Sequence, residues 1–237
     1  MANSWFQFKE FKINQDKTAM KVGVDGVLSG AVSHLSRSMN VLDIGAGTGL
    51  LSLMAVQRSD AQVTALEIEK NAFNQCVENI KLNKQEDRIT ALNVSFQDYY
   101  KECKEKFDFI ICNPPFFNNS FKSPDEKRNI ARHSHLLPKE ELIKGVSEIL
   151  IKNGIFSVIL PFESELIFEQ MCNNYGLFCR YKLIISPREN KKPNRIIIEF
   201  SGEKEEILIE NIAIRENDTN QYTKAYKKLT KDFYLHF

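Results

Sequence analysis

From Asp43 to Gly49 the chain reads DIGAGTG, and from Asn113 to Phe117 it reads NPPFF. The first stretch sets three glycines at every second position behind an acidic residue. Glycine adopts backbone angles that side chains forbid, so such a loop turns tightly and lets its N–H groups approach a ligand at the positive end of the following helix. Glu67 falls 22 residues after Gly45. In nucleotide-binding βαβ units, an acid about 20 residues on meets the ribose hydroxyls. A glycine triplet alone matches many turns by chance. Between a strand and a helix, with an acid at the end of the next strand, it is a strong signal. In the second stretch an apolar run, FDFIIC, ends in asparagine, two prolines and two phenylalanines. Each proline locks its own φ, and Pro114 biases Asn113 away from helical geometry. The loop is stiff and carries aromatic rings where a solvent turn would prefer Gly, Ser or Asp.

The other chemistry-bearing residues form weaker patterns. His133 and His135 in RHSHLLP lack a nearby third ligand, so no metal site is expected there. His34 and His236 belong to no constellation. The cysteines, Cys76, Cys103, Cys112, Cys172 and Cys179, are five, scattered, and form no CxxC pair, which reads as reduced thiols. Lysines and arginines gather in three places: Lys9, Lys12, Lys17 and Lys21; Arg188, Lys191, Lys192 and Arg195; and Lys224, Lys227, Lys228 and Lys231. With 32 basic against 31 acidic residues, net charge alone points to no partner. A composition of 43% apolar and 27% charged residues over 237 positions is that of an ordinary globular chain of one α/β domain. No run approaches a membrane span, and the N-terminus lacks a signal-peptide core, so a cytoplasmic location is expected.

Positioning these groups requires strands and helices in alternation. VLDIG reads as a buried strand, and TGLLSLMAVQR after it as a helix. AQVTALEIE, RITALNVS and KFDFIIC read as further strands. KNAFNQCVENIKLN places Ala72, Cys76, Val77 and Ile80 on one helical face. Pro138 opens a helix through PKEELIKGVSEILI that Gly154 ends, and IFSVILP follows as a strand. ESELIFEQMCNNYG is a helix closed by Gly176. CRYKLIIS and NRIIIEF, joined by a polar stretch with Pro187 and Pro193, suggest an antiparallel hairpin at the sheet edge. The alternation predicts a mostly parallel sheet covered by helices on both faces.

The spacing GxGxG, with an acid two residues before the first glycine, resembles the motif of class I, Rossmann-like S-adenosylmethionine-dependent methyltransferases rather than the dinucleotide fingerprint. The resemblance implies a seven-stranded sheet with an antiparallel edge hairpin. It also implies S-adenosylmethionine held by Asp43, Gly45 and Gly47, with Glu67 on the ribose, Ile68 beside it, Asp98 at the adenine amine, and Gln97 next to Asp98. Asn113-Pro114-Pro115-Phe116 resembles the motif of methyltransferases acting on nitrogens of planar, conjugated amines. The Asn113 side-chain carbonyl and the Pro114 backbone carbonyl would each accept one N–H, aiming the nitrogen and favouring its developing positive charge. Phe116, with Phe117, would offer a face for the base. Methyl transfer from a sulfonium needs neither a metal nor a covalent enzyme intermediate.

FKEFKINQDKTAMKVGVDGVLSGA, LDIGAGTGLLSLM, ICNPPFF and YTKAYKKLTKDFYLHF together closely resemble the bacterial tRNA(Val) adenine-N6 methyltransferases, over essentially the whole chain. What this likeness implies is a single domain, residues 1–237, with 1–38 as an N-terminal extension over substrate and cofactor and 39–237 as the core. Lys21, Val22, Gly23 and Asp25 would close over the cofactor; Asp25 reads equally as a helix N-cap. The family's KVGTDG is KVGVDG here, so Val24 lacks a hydroxyl. The implied substrate is the adenine at tRNA position 37, in the anticodon loop, where splaying an unpaired base costs little. Two other acceptors stay open on the same clamp chemistry: a glutamine side-chain amide on protein, and guanine N2 in ribosomal RNA.

Overall fold

The computed structural model describes residues 3–18, 20–35, 40–114 and 137–236. The first elements are a small antiparallel hairpin, β1 (Trp5–Gln7) with β2 (Lys12–Asn14), and the helix α1 (Val24–Val32). Strand–helix alternation then follows as the apolar runs predict. It comprises β3 (Asn40–Ile44), α2 (Leu50–Arg58), β4 (Gln62–Leu66), α3 (Lys70–Leu82), β5 (Ile89–Leu92) and α4 (Phe96–Glu102). Next come β6 (Phe107–Cys112), α5 (Lys139–Ile149), β7 (Leu150–Pro161), α6 (Glu165–Asn174), β8 (Phe178–Arg188) and β9 (Arg195–Ser201). The tail adds β10 (Leu208–Arg215) and α7 (Lys224–Thr230).

Eight of these strands form one sheet in the order β10-β8-β9-β7-β6-β3-β4-β5. All its pairings are parallel except those of β9, which is antiparallel to both β7 and β8. The sheet thus has one strand more than the seven expected. The β8–β9 hairpin forms as read, but β10 pairs outside it and takes the edge. Gly154 does not end a helix: α5 stops at Ile149 and Gly154 lies inside β7. A Cβ there would stand 3.0 Å from the Asp108 carbonyl, so glycine permits a close backbone approach where the β6–β7 register shifts.

Alternation along the strands feeds two faces. Val41, Val63, Phe109 and Ile111 join α1, α2 and α3 in one core cluster. Leu42, Leu66, Ile110 and Phe156 join α4, α5 and α6 in the other. On the first face, towards β10, Tyr181, Leu183, Ile185 and Ile212 meet α1 and α7. A sheet buried on both sides explains why the strands read as continuous apolar runs. The rings of Phe156, Phe168 and Phe200 lie 6.0 to 6.5 Å apart, a geometry worth about 0.5–1.5 kcal/mol per pair beyond burial.

Candidate active site

The sheet grows in opposite directions from β3 and β6, so a crevice opens beyond their carboxyl ends. Ile44 is in register with Cys112, which brings the next residues, Gly45 and Asn113, level across it. Gly45, Gly47 and Gly49 all have positive φ (74°, 57° and 81°). The Gly45 and Ala46 amides both donate to the Leu66 carbonyl at 2.9 Å, and the Gly49 amide donates to the Ala46 carbonyl. A Cβ on Gly45 or Gly47 would meet nothing within 4 Å; on Gly49 it would stand 2.9 Å from Cys76 Sγ. The first two glycines leave a cradle open, and the third lets α3 pack close.

Two acids hold the loop. Asp43 is fully buried on β3; its Oδ2 accepts from the Ser52 amide (3.0 Å) and hydroxyl (2.7 Å), while Oδ1 has no partner among the described residues. Burial pushes its carboxyl up to about 6, against the lowering effect of both Ser52 bonds and with a smaller push from the Glu67 charge. Glu67, just beyond β4, accepts from the Gly47 amide through Oε2 and from the Glu69 amide through Oε1, both at 2.8 Å.

The third wall comes from residues 20–26. Gln15 ties it down, its Oε1 accepting from the Val22 amide at 2.8 Å and its carbonyl from Lys21 Nζ at 2.7 Å. Gln75, Asn79 and Asn83 form a stripe of amides along α3. They accept from the backbone amides of Lys17, Asn14 and Lys12 at 2.8, 2.8 and 2.9 Å, and Asn79 also donates to the Thr48 carbonyl. The face read as carrying Ala72, Cys76, Val77 and Ile80 thus also buries the amides of Gln75 and Asn79, and Val77 is only partly buried. Asp25 is not an N-cap. Gly23 holds that position, and Asp25, in the first turn of α1, receives Arg195 Nε at 2.9 Å. On α1, a Cβ at Gly26 would stand 3.0 Å from Leu50 and 3.7 Å from Asn113 Nδ2, and one at Gly30 only 2.5 Å from Met54 Sδ. Two glycines one turn apart seat α1 against α2 and bring its N-terminus to the crevice.

These walls enclose a cavity of about 380 Å³, within the range of small-molecule sites. It gathers Lys21, Val22, Gly23 and Asp25, the glycines Gly45 and Gly47, and Asn113 with Pro114. Met20, Val24, Gly26, Ala46, Thr48, Leu50 and Leu51 complete it. Sequence reading did not assign those seven as site residues, although they interleave with the motifs it used. Among the described residues, Asp43, Glu67, Ile68, Gln97 and Asp98 are not part of the wall. Ile68 is exposed, and Gln97 and Asp98 lie in the first turn of α4. Ser95 is the N-cap of α4: its hydroxyl accepts from the Asp98 amide at 3.0 Å and donates to Asp98 Oδ2 at 2.6 Å. Pro115, Phe116, Phe117, His133 and His135 lie outside the described residues. His34, read as belonging to no constellation, is bound through Nδ1 to the fully buried Glu199 at 2.8 Å, a partner 165 positions away.

The methyltransferase small domain family matches residues 25–159. The tRNA1(Val) (adenine(37)-N6)-methyltransferases of Bacteroides fragilis and Christiangramia forsetii are each 41% identical to this chain, with 99% of both chains covered in either comparison. Among solved structures, one described as a predicted O-methyltransferase from Agrobacterium tumefaciens superposes with a TM-score of 0.68 at 18% identity, over 88% of this chain and 96% of that one. That likeness concerns the fold. A cradle of glycines level with an Asn-Pro tip thus occurs on a chain that belongs, along its whole length, to the family of the tRNA1(Val) (adenine(37)-N6)-methyltransferases.

Proposed function

We propose that the protein transfers a methyl group from S-adenosylmethionine to N6 of an unpaired adenine in tRNA, adenine 37 in the anticodon loop of tRNA1(Val), in the cytoplasm. The observation that carries the reading is that Asn113 and Pro114, at the tip of β6, share one cavity with Gly45 and Gly47 at the tip of β3. The open space above the two glycines fits a donor laid against the backbone of the loop. S-adenosylmethionine supplies a methyl group made electrophilic by its sulfonium. Lys21, Val22, Gly23 and Asp25 cover it, Gly45 and Gly47 bear its methionine and ribose portions, and Asp43 holds the glycine loop in shape. Glu67 takes the ribose hydroxyls, with Ile68, Gln97 and Asp98 along the carboxyl ends of β4 and β5 for the adenine.

The amine of adenine is a poor nucleophile because its lone pair is delocalised into the ring. Two acceptors, the Asn113 side-chain oxygen and the Pro114 carbonyl, orient its N–H bonds and favour positive charge on nitrogen. Pro115 and Phe116, which the motif adds as a second proline and a face for the base, lie outside the described residues. The N–H proton becomes acidic once nitrogen is alkylated, so no dedicated base is needed. Nucleoside mass spectrometry of tRNA from cells with and without the gene tests the reading. N6-methyladenosine is expected to disappear on deletion, to return with the wild-type gene and to stay absent with Asn113→Ala. Unchanged tRNA with label appearing in protein or in ribosomal RNA would refute it.

A further inference from the structure

Beside the cavity lies a second, more open groove of about 700 Å³, and Val24 belongs to the walls of both. Its floor is apolar, made by Val24, Pro187 and Ile214. Its rim is cationic, with Arg188, Arg215, Lys191 and Lys192. The four cations fall into two kinds. Arg188 donates to the carbonyls of Glu216 (2.9 Å) and Thr219 (2.7 Å) and to Asn220 Oδ1 (2.8 Å), which fixes the loop before α7. Arg215 lies 4.3 Å over the Tyr222 ring and donates to the Asn220 carbonyl. Lys191 and Lys192 are exposed, and neither ammonium has an ion-pair partner among the described residues.

The two lysines sit at the turn of the β8–β9 hairpin, and that turn is anchored. The Asn194 amide donates to the Ile185 carbonyl at 3.0 Å, and the ion pair of Arg195 with Asp25 fastens the start of β9 to the wall of the cofactor cavity. The turn that carries these two uncommitted cations is therefore anchored to a residue of the cavity wall that Asn113 also lines. A patch that bound only phosphate would need no apolar floor, and an apolar peptide would gain nothing from a rim of four cations. One occupant satisfies both features: a nucleotide, with a flat face to lay down and a phosphate on either side.

We propose that this groove is a subsite for a nucleotide flanking the target adenine in the single-stranded loop of the RNA. Its base or sugar rests on Val24, Pro187 and Ile214, and its phosphates are met by Lys191 and Lys192. The assignment rests on the tRNA reading above. It also gives the valine at position 24 a role, as an apolar wall shared by the two sites.

The test is steady-state methylation of an anticodon stem-loop transcript over a series of KCl concentrations, using wild type, Lys191→Ala/Lys192→Ala and Lys191→Glu/Lys192→Glu. S-adenosylhomocysteine binding serves as the folding control. In the alanine pair KM for RNA should rise about tenfold, more in the glutamate pair, with kcat at saturating RNA within about twofold and the control unchanged. The slope of log affinity against log salt should fall by about 1.4, the share of two single-strand phosphate contacts. Photocrosslinking with 4-thiouridine next to the target adenine should label the peptides holding Pro187 or Ile214. An active wild type whose lysine variants keep KM and salt slope, or crosslinks confined to other peptides, overturns the subsite and leaves the methyltransferase reading intact. A wild type that methylates no tRNA overturns both.

Discussion

Asp43 shows at the scale of one residue what the site imposes on the fold. Its carboxylate is fully buried, and its pKa is lifted by burial to about 6 from an ordinary value near 3.8. A group that holds its proton more tightly when folded favours the folded state most at low pH. Stability therefore falls as pH rises from about 4 to about 6, and the whole penalty, on the order of 3 kcal/mol, is present at neutral pH. Asp43→Asn removes the titration and keeps an oxygen for Ser52. Urea unfolding of the two proteins should show a difference that moves in the variant's favour by about that amount between pH 4 and pH 8; a pH-independent difference would contradict the account. The meeting of Gly45, Gly47 and Asn113 in one cavity was legible in the sequence because each is a backbone requirement stated within a few residues, whereas Asp43, read there as holding the cofactor, lies behind the wall on Ser52. The Ser95–Asp98 cap was written there too, in S-x-x-D, and was overlooked. His34 could not be read this way, because its partner Glu199 lies on a strand 165 positions on.

At the scale of elements, the placement of residues 20–26 depends on how β2 lies against α3. Asn79 is fully buried; its Oδ1 accepts from the Asn14 amide and its Nδ2 donates to the carbonyls of Asn14 and Thr48. Asn79→Ala strands those groups, at about 1–3 kcal/mol for each that water cannot reach. We expect a loss of about 2–4 kcal/mol in urea unfolding, together with weaker S-adenosylmethionine binding by calorimetry, because Thr48 belongs to the cavity wall. Asn83→Ala, at a partly exposed site, should cost less and leave binding unchanged. Equal effects of the two changes would argue against the link to the cavity. At the other end of α1, the His34–Glu199 bond pins the helix to β9. That bond chiefly raises the His34 pKa, while burial, Arg180 and Arg58 oppose it. The stability it adds is complete below the unfolded pKa near 6.5 and fades as pH rises through the higher folded value. His34→Gln should accordingly lower the melting temperature at pH 6 and leave it nearly unchanged at pH 9; the same shift at both would refute the pairing. Periodicity gave β3, β6, β7 and β9 because both faces of those strands are largely buried; β5, at the sheet edge, has only Ile89 buried. It did not give β10, whose first four residues are exposed, nor the amides of α3, which mimic a polar surface.

For the whole molecule, the cavity is where distant parts of the chain meet. Its walls join residues 20–26, 45–48, 50–51 and 113–114, contributed by the segment after the N-terminal hairpin and by the tips of two neighbouring strands. Arg195 extends the connection to β9, and the tail closes on the same hairpin, where the Lys9 amide donates to the Phe233 carbonyl. A ligand that binds only when all three segments are in place should stabilise the protein as a unit and not one loop of it. At a concentration of 100 times its dissociation constant, S-adenosylhomocysteine would add about 2.7 kcal/mol. For a chain of this length that corresponds to a rise in melting temperature of about 5–10 °C in a single transition. Glu67→Ala should forfeit most of that rise at the same ligand concentration, both by losing the proposed ribose contact and by freeing the Gly47 amide. Asn113→Ala, which alters the acceptor side of the cavity, should keep it. A ligand-induced rise that survives in Glu67→Ala and vanishes in Asn113→Ala would mean that the donor sits at the tip of β6 and the base over the glycines, the reverse of the arrangement on which the clamp depends.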